Sequence, residues 1–279
     1  MTGRLAGQSA LVTGAGRGFG RSIALELARQ GAAVTLVSRS AGQLESVADE
    51  IRAGGGRAAV AAADVTDPAA VKRACDIARA AHGAPAILVS NAGVPWPFGP
   101  VWETDVERWW QAEQVHIRAP YLFMHELMPD MIAARRGRVI CISAIATRLT
   151  LPFLSAYSVG KAALNKLVEM AAEEARPHDV QVFAVEPGFV ITQLAEDTYN
   201  DPDAQRWMPH MLAYLDEGRG RADGEADLVR TAQRCARLAA GDYDILSGRY
   251  MELPDPIDDW KARAEAEAAA GAAAREGVA

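Results

Sequence analysis

Short apolar runs alternate with segments of helical spacing along most of this 279-residue chain. Alternation of strand and helix is typical of parallel βαβ units. Strands that are apolar throughout indicate a sheet covered by helices on both faces. Right-handed crossovers then favour a doubly wound topology. The sequence therefore predicts an α/β fold with a doubly wound parallel sheet. The predicted strands lie at 9–13, 32–38, 57–63, 86–90, 137–143 and 180–186.

Length and composition favour one domain. The chain is long enough to bury a sizeable core, and 50% hydrophobic with 23% charged residues is ordinary for a globular protein. We expect a catalytic domain at 1–260. Within it, residues 189–220 lack strand signal and predict a substrate lid at the carboxyl edge of the sheet. The Ala/Glu-rich tail at 261–279 predicts a helix that frays after Gly271.

The bulk features argue against several partner classes. The net charge is −7 and basic residues are scattered, so nucleic acid is not an expected partner. No apolar run approaches the roughly 20 residues that cross a bilayer, and no apolar leader precedes the first strand, so we expect a cytoplasmic protein without membrane contact. Cys75, Cys141 and Cys235 are far apart and lack metal-ligand spacing, which predicts buried thiols and no metal site.

A glycine-rich segment, TGAGRGFG at 13–20, separates the first strand from the first helix. Gly14 and Gly18 let the backbone turn and approach a pyrophosphate, and Gly20 lets the helix pack closely against it. Phe19 belongs to the same loop. In this βαβ context the segment predicts a dinucleotide phosphate cradle, with a tight turn that binds nothing as the alternative.

The end of the second predicted strand carries Ser38 and Arg39 where a carboxylate would bind the ribose 2′-hydroxyl of NAD. Arg39, helped by Arg17 in the glycine loop, suits a 2′-phosphate through a bidentate fork. The alternative for either arginine is a solvated surface charge. We therefore predict NADP as the cofactor and keep NAD as the second candidate.

Tyr157 and Lys161 are four residues apart at the start of a predicted helix, so they share one face. A phenol beside an ammonium group acts as an acid whose pKa is lowered by its neighbour. The pair is a candidate for proton transfer. The alternative is an exposed helical pair without function.

Five motifs occur in a fixed order, and through them the sequence resembles the short-chain dehydrogenase/reductase family in its compact single-domain form. The resemblance runs from about residue 5 to 195. It implies a Rossmann-type sheet of about seven strands that holds NAD(P) across its carboxyl edge, and a homodimer or homotetramer. The motifs are TGAGRGFG, DV at 64–65, SNAG at 90–93, YSVGK at 157–161 and PGFVIT at 187–192.

The resemblance also implies roles for individual residues. Tyr157 is the general acid or base, while Lys161 binds the nicotinamide ribose and lowers the tyrosine pKa. Three further sets flank the adenine, line the cofactor cleft and hold the nicotinamide carboxamide. In that order they are Asp64 and Val65; Asn91, Ala92 and Gly93; and Pro187, Gly188, Val190 and Thr192.

Two positions depart from the family pattern. The substrate-orienting serine of the family, 13 residues before the tyrosine, is here Ala144, and Ser143 stands one step earlier. One step along a strand reverses the face, so Ser143 points away unless a bulge restores it. Ser143 remains a catalytic candidate and Ala144 a candidate substrate contact. His116 replaces an asparagine that supports a water relay, which leaves three interpretations: a relay substitute, a substrate contact or a core histidine.

Large apolar side chains on three loops predict a roomy hydrophobic pocket, although packing of the lid is an alternative for each of them. The predicted function is NAD(P)-dependent interconversion of a bulky hydrophobic ketone and its secondary alcohol by hydride transfer. The departures leave two alternatives: a non-redox lyase or isomerase, and a catalytically weak cofactor-binding protein. The candidate substrate residues are Trp96, Phe153, Trp207 and Met211.

Overall fold

The computed structural model describes residues 3–219 and 225–276. A seven-stranded sheet in the order β3-β2-β1-β4-β5-β6-β7 forms its centre, and every neighbouring pair is parallel. This confirms the predicted Rossmann-type, doubly wound α/β fold. The strands are β1 Ser9–Thr13, β2 Ala33–Ser38, β3 Arg57–Ala62, β4 Ile87–Ser90, β5 Gly137–Ile142, β6 Val180–Val185 and β7 Tyr250–Met251.

The strand order reverses between β1 and β4, which creates a crevice at their carboxyl ends. Side chains of β1 alternate between two cores, because successive residues of a strand point to opposite faces. Val12 packs in one core and Leu11 in the other, and both are fully buried. Helices therefore cover both faces of the sheet, which leaves the loops at its carboxyl edge accessible for a site.

Several helices begin directly after a residue whose side chain caps the first turn. Asp67 accepts a hydrogen bond from the amide of Ala69 and Asp105 accepts one from that of Arg108, which satisfies amides that the first turn leaves open. The α-helices of the described residues are α1 Gly18–Arg29, α2 Ala41–Ala53, α3 Pro68–His82, α4 Val106–Glu113, α5 Ala119–Ala133, α6 Ser155–Ala175, α7 Gln193–Tyr199, α8 Pro202–Trp207, α9 Pro209–Arg219, α10 Ala226–Ala239 and α11 Ile257–Glu276.

A π-helical turn, Gln114–Arg118, joins α4 to α5. Such turns interrupt a helix and are frequent at functional sites. Here the turn puts His116 among the buried residues, against the start of α6. The turn therefore lies next to the segment that carries Tyr157 and Lys161.

The segment expected to form a lid, 189–220, contains the short helices α7, α8 and α9; its residue 220 lies outside the described residues. The expected fraying after Gly271 is not what the structure shows, because α11 continues through that glycine to Glu276. One glycine costs about 1 kcal/mol relative to alanine, and the flanking alanines favour the helix. Residues 277–279 of the tail lie outside the described part.

Cys75, Cys141 and Cys235 lie buried as unpaired thiols, as the sequence predicted. Among the described residues, no helix has an apolar stretch long enough to cross a membrane.

Candidate active site

A cleft of about 710 Å³ lies at the carboxyl edge of the sheet. It brings together loops that follow β1, β2, β3, β4 and β6, as expected for a crevice at the reversal of strand order. The candidate substrate residue Trp96 also lines it. The predicted cofactor residues in its lining are Gly14, Arg17, Gly18, Phe19, Ser38, Arg39, Asp64, Val65, Asn91, Ala92, Gly93 and Thr192.

The glycine loop has the shape of a phosphate cradle. Gly14 has a φ of +65°, in the region that favours glycine, and a Cβ on Gly20 would lie 2.2 Å from the Gly14 carbonyl oxygen. Within the described residues, no side chain caps the start of α1, so no capping side chain accepts a hydrogen bond from the first backbone amides of this helix. These features fit a pyrophosphate at the helix N-terminus.

The adenosine end of the cleft carries both predicted arginines. The Oγ of Ser38 is buried without a hydrogen-bond partner in the described residues. Arg39 lines the cleft beside it, whereas Arg17 lies 3.5 Å from the carboxylate of Asp197 on α7. Asp64 accepts hydrogen bonds from the amide and hydroxyl of Thr66, at 2.9 and 2.8 Å. A hydroxyl without a partner in the described residues, in a cleft that two exposed arginines also line, fits a phosphate-bearing ribose.

Hydrogen bonds to α10 and to Glu186 hold the loop that follows β6. The Thr231 hydroxyl donates to the Pro187 carbonyl at 2.6 Å, and the Gly188 amide donates to Glu186 at 2.8 Å. The Thr192 amide donates to the Val190 carbonyl at 2.8 Å, which forms a tight turn. This rigid turn brings Thr192 into the cleft lining, opposite the glycine loop.

Tyr157 and Lys161 lie on the first turns of α6. Lys161 is buried, and its Nζ donates to the Ile142 carbonyl at 2.7 Å and lies 5.9 Å from the Tyr157 ring centroid. Burial lowers the pKa of Lys161 to about 8. Burial raises the pKa of Tyr157, and the nearby Glu186 acts in the same direction. This direction is opposite to the expected lowering, because burial disfavours the charged phenolate and is the largest cause of the shift.

The Ser143 side chain is hydrogen-bonded to α6. Its Oγ donates to Asn165 Oδ1 on α6 at 2.6 Å, and its amide donates to the Val185 carbonyl at 2.8 Å. Ala144 is also extended, with φ −160° and ψ 154°. Ala144 thus keeps an extended backbone although β5 ends at Ile142, and adjacent residues of an extended segment point to opposite sides.

His116 is a buried residue in contact with Tyr157. It is 1% exposed, and the two rings meet edge to face with centroids 5.4 Å apart. Its Nε2 lies 3.0 Å from the Val94 carbonyl. A carbonyl only accepts, so Nε2 carries the proton and Nδ1 is an acceptor, without a partner among the described residues. Burial lowers the pKa of His116 to about 3, so the ring is neutral.

Glu113 is a neighbour of the site that the sequence analysis did not identify. It is 3% exposed, and neither carboxylate oxygen has a partner within the described residues. Burial raises its pKa to about 7. A Cβ on Gly160 would lie 2.8 Å from Glu113 Oε2 and 2.6 Å from His116 Cβ. Its spacing of three residues from His116 is the sequence signal that could have identified it.

The four candidate substrate residues come together in the structure. Trp96, Phe153, Trp207 and Met211 pack around a buried cluster, and the Tyr157 ring packs against the same cluster. The Phe153 and Trp207 rings are 5.3 Å apart. The apolar wall formed by the lid and two loops is therefore continuous with the tyrosine. The buried members of the cluster are Phe98, Leu154, Ala204 and Met208.

The parallel sheet and the crevice at its strand reversal define a Rossmann-type α/β protein. The sequence model of the short chain dehydrogenase family matches residues 8–203. The chain belongs to this family, whose members are oxidoreductases.

Curated relatives cover most of the chain. A short chain dehydrogenase of Pseudocercospora fijiensis is 31% identical over 95% of this chain and 86% of its own length. The oxidoreductase UcpA of Escherichia coli is 32% identical over 88% of this chain and 92% of its own length. A cyclohexanol dehydrogenase of an Acinetobacter species is 31% identical over 70% of this chain and 77% of its own length.

Solved structures share the fold. A metagenomic short-chain oxidoreductase in complex with NADP has 35% identity and a TM-score of 0.69, covering 85% of this chain and 92% of its own. A short-chain type dehydrogenase/reductase from Mycobacterium marinum has 26% identity and a TM-score of 0.78, covering 89% of this chain and 94% of its own.

The buried carboxyl of Glu113 predicts a specific dependence of stability on pH. Its pKa is 4.5 in the unfolded chain and about 7 in the folded one, so the folded state binds the proton more tightly. The contribution of Glu113 to the free energy of unfolding is then largest below pH 4.5, and up to about 3 kcal/mol of it is lost as the pH rises to 7. Glu113→Gln removes this loss in urea unfolding measured from pH 5 to 8. Glu107→Gln, on the exposed side of the same helix, keeps it. Parallel curves for wild type and Glu113→Gln would contradict the assignment.

Proposed function

We propose that this chain is an NADP-dependent oxidoreductase that interconverts a bulky hydrophobic ketone and its secondary alcohol. The observation that carries the proposal is the position of Tyr157. One side of its ring is in contact with His116 and near Lys161, next to the cofactor cleft. The ring also packs against the apolar cluster of the lid. A phenol at this junction can exchange a proton with a substrate oxygen.

The cofactor half of the proposal rests on the residues at the adenosine end. Ser38 and Arg39 follow β2 where NAD-specific sites carry an acid, and Arg17 lies in the glycine loop. The metagenomic relative solved with NADP supports the same cofactor. When bound, NADP(H) donates or accepts the hydride at the substrate carbon. The loop that ends in Thr192, together with Asn91 and its neighbours, would hold the nicotinamide side.

The proton half rests on two residues of α6. In the direction of reduction, the Tyr157 hydroxyl gives its proton to the carbonyl oxygen; in oxidation, it takes the alcohol proton. The phenolate that forms needs stabilisation, and the ammonium group of Lys161 is the nearby cation. Because Lys161 Nζ is fixed by the Ile142 carbonyl, its charge stays in place during the transfer.

The substrate class follows from the apolar wall. Rings of Trp96, Phe153 and Trp207 favour a bulky alicyclic or aromatic molecule over a small charged acid. The similarity to a cyclohexanol dehydrogenase points the same way. The absence of a hydroxyl at Ala144 supports a second candidate, an enzyme of altered or non-redox chemistry that uses Tyr157 alone.

A homodimer or homotetramer belongs to the same proposal, as does a cytoplasmic location. Support for an oligomer comes from apolar side chains exposed on three helices. They are Val106 and Trp110 on α4, Tyr121 on α5 and Val159 on α6.

The cofactor proposal predicts that NADPH binds at least about tenfold more tightly than NADH, because a charged hydrogen bond to phosphate contributes about 1.5 to 3 kcal/mol. Fluorescence titration with both nucleotides measures the ratio. Arg39→Ala makes the affinities for NADPH and NADH similar. Arg57→Ala, which removes an exposed arginine at the amino end of β3, leaves their ratio unchanged. Equal affinities in the wild type, or tighter NADH, would refute NADP specificity.

The proton-transfer proposal predicts that Tyr157→Phe lowers NADPH turnover on cyclic and aromatic ketones by about 10²- to 10⁴-fold while NADPH affinity is retained. Lys161→Ala weakens both, since it removes a cation near the tyrosine and a buried hydrogen bond. Tyr121→Phe, which alters an exposed phenol on α5, is the matched control. Full activity in Tyr157→Phe would exclude the phenol as the acid and make His116 the next candidate for that role.

The serine departure predicts opposite effects at adjacent residues. Ala144→Ser adds a donor on the face that Ser143 does not share, and kcat rises by up to about 10²- to 10³-fold. Ser143→Ala removes the bond to Asn165, which costs about 1 kcal/mol of stability and leaves kcat unchanged. Steady-state kinetics and urea unfolding separate the two effects. A loss of kcat in Ser143→Ala with no gain in Ala144→Ser would mean that the strand rearranges in the working enzyme.

A further inference from the structure

Glu113 and His116 form a pair of buried groups with complementary hydrogen-bonding needs. The neutral imidazole of His116 uses Nε2–H on the Val94 carbonyl, which leaves Nδ1 as an acceptor without a donor among the described residues. The carboxyl of Glu113 has no partner there either. A protonated carboxyl carries one O–H donor. The pair thus offers one missing donor and one missing acceptor, three residues apart.

The packing keeps these two groups together. Glu113 ends α4 and His116 lies in the π-helical turn that follows, so both face α6. They meet at Gly160, where a Cβ would lie within 2.8 Å of an atom of each. Glycine at this position is what permits the approach. A buried polar group without a partner is costly, so a carboxyl here requires an acceptor or a donor nearby.

The other side of His116 leads to the cofactor cleft. Nε2–H holds the carbonyl of Val94, and a Cβ on Gly93 would lie 3.7 Å from His116 Cε1 and 3.8 Å from Lys161 Nζ. Gly93 and Val94 both line the cleft. The tautomer of His116 therefore decides whether this loop is held, because the Nδ1–H form would present a lone pair to the Val94 carbonyl.

We propose that Glu113 is a positioning residue whose neutral carboxyl donates to Nδ1 of His116 through one bridging water, and so fixes the tautomer that holds Val94. Ionisation of Glu113 removes the donor, and the loop after β4 then loses its support. The effect on cofactor binding rests on the proposed function, whereas the effect on the tautomer does not.

The pH range follows from the groups around the pair. His116 stays neutral, and burial raises the pKa of Glu113 to about 7. The other titratable residues on the elements packed here are Tyr157, Lys161, Lys166, Glu169, Glu173 and Glu174 on α6, Arg118 in the π-helical turn, Glu107 and Arg108 on α4, and Tyr121, His125, Glu126 and Asp130 on α5. Burial is the only cause of the Glu113 shift, so the carboxyl itself sets the transition.

The direct test is the tautomer of His116 in the protein without cofactor. Two-bond ¹H–¹⁵N spectra of ¹⁵N-histidine-labelled protein report which ring nitrogen is protonated, and His116→Asn assigns the signal. The wild type shows the Nε2–H form with a hydrogen-bonded Nδ1 at pH 6, and loses this pattern at pH 8.5. Glu113→Gln, whose amide still donates, shows it at both pH values. Glu113→Leu, which has no donor, shows it at neither.

The second readout is the dissociation constant of NADPH at the same two pH values. Dividing the wild-type constant by that of Glu113→Gln cancels the other titrating groups. This ratio rises about threefold to tenfold from pH 6 to pH 8.5, the range expected for one neutral hydrogen bond. Glu107→Gln follows the wild type.

Several outcomes would overturn the inference. A tautomer pattern that is the same in the wild type, Glu113→Gln and Glu113→Leu at both pH values assigns Glu113 a packing role only. If Glu113→Leu does not fold, the comparison of wild type with Glu113→Gln decides alone. Failure of NADPH to bind at all would refute the proposed cofactor and leave the tautomer test standing.

Discussion

Hydrogen bonds between the ends of β1 and β4 hold the crevice on which every other part of the site depends. The Asn91 side chain donates to the carbonyls of Thr13 and Gly14 at 3.0 and 3.3 Å. The Thr13 hydroxyl accepts from the amides of Asn91 and Ala92 at 2.9 and 3.1 Å. These bonds join the glycine loop to the loop that reaches His116. The relative position of the two loops is therefore fixed by direct hydrogen bonds.

Features set by local spacing could be predicted from the sequence. The glycine loop, the Tyr157 and Lys161 pair and the doubly wound sheet depend on residue order alone, because parallel strands bring their carboxyl ends to one edge. For Ser143, the period of two along a strand predicts the face opposite to that of Ala144, and in the structure its hydroxyl donates to Asn165. The tail helix is longer than the sequence predicted, because the prediction gave a single glycine more weight than the alanines around it.

Features set by packing between distant elements could not be predicted. The burial of Glu113 depends on how closely α4 and α6 approach at Gly160, which no local pattern encodes. The direction of the Tyr157 pKa has the same origin: spacing indicated a nearby cation, while the surrounding apolar residues make burial the larger effect. Arg17 was expected to be free for a phosphate, yet it lies near Asp197 of the lid. Such competition between partners becomes visible only in three dimensions.

The two departures from the family pattern have different physical costs. Ala144 has no hydroxyl at the position where the family pattern has a serine, and its backbone is extended. His116, by contrast, keeps a hydrogen bond to the loop after β4 and adds a ring against Tyr157. The Nε2–H tautomer leaves Nδ1 of His116 as an acceptor, and the buried Glu113, three residues earlier, also has no partner among the described residues. The side chain at 116 thus keeps a contact with a loop that lines the cleft, whereas the side chain at 144 offers no hydrogen-bonding group.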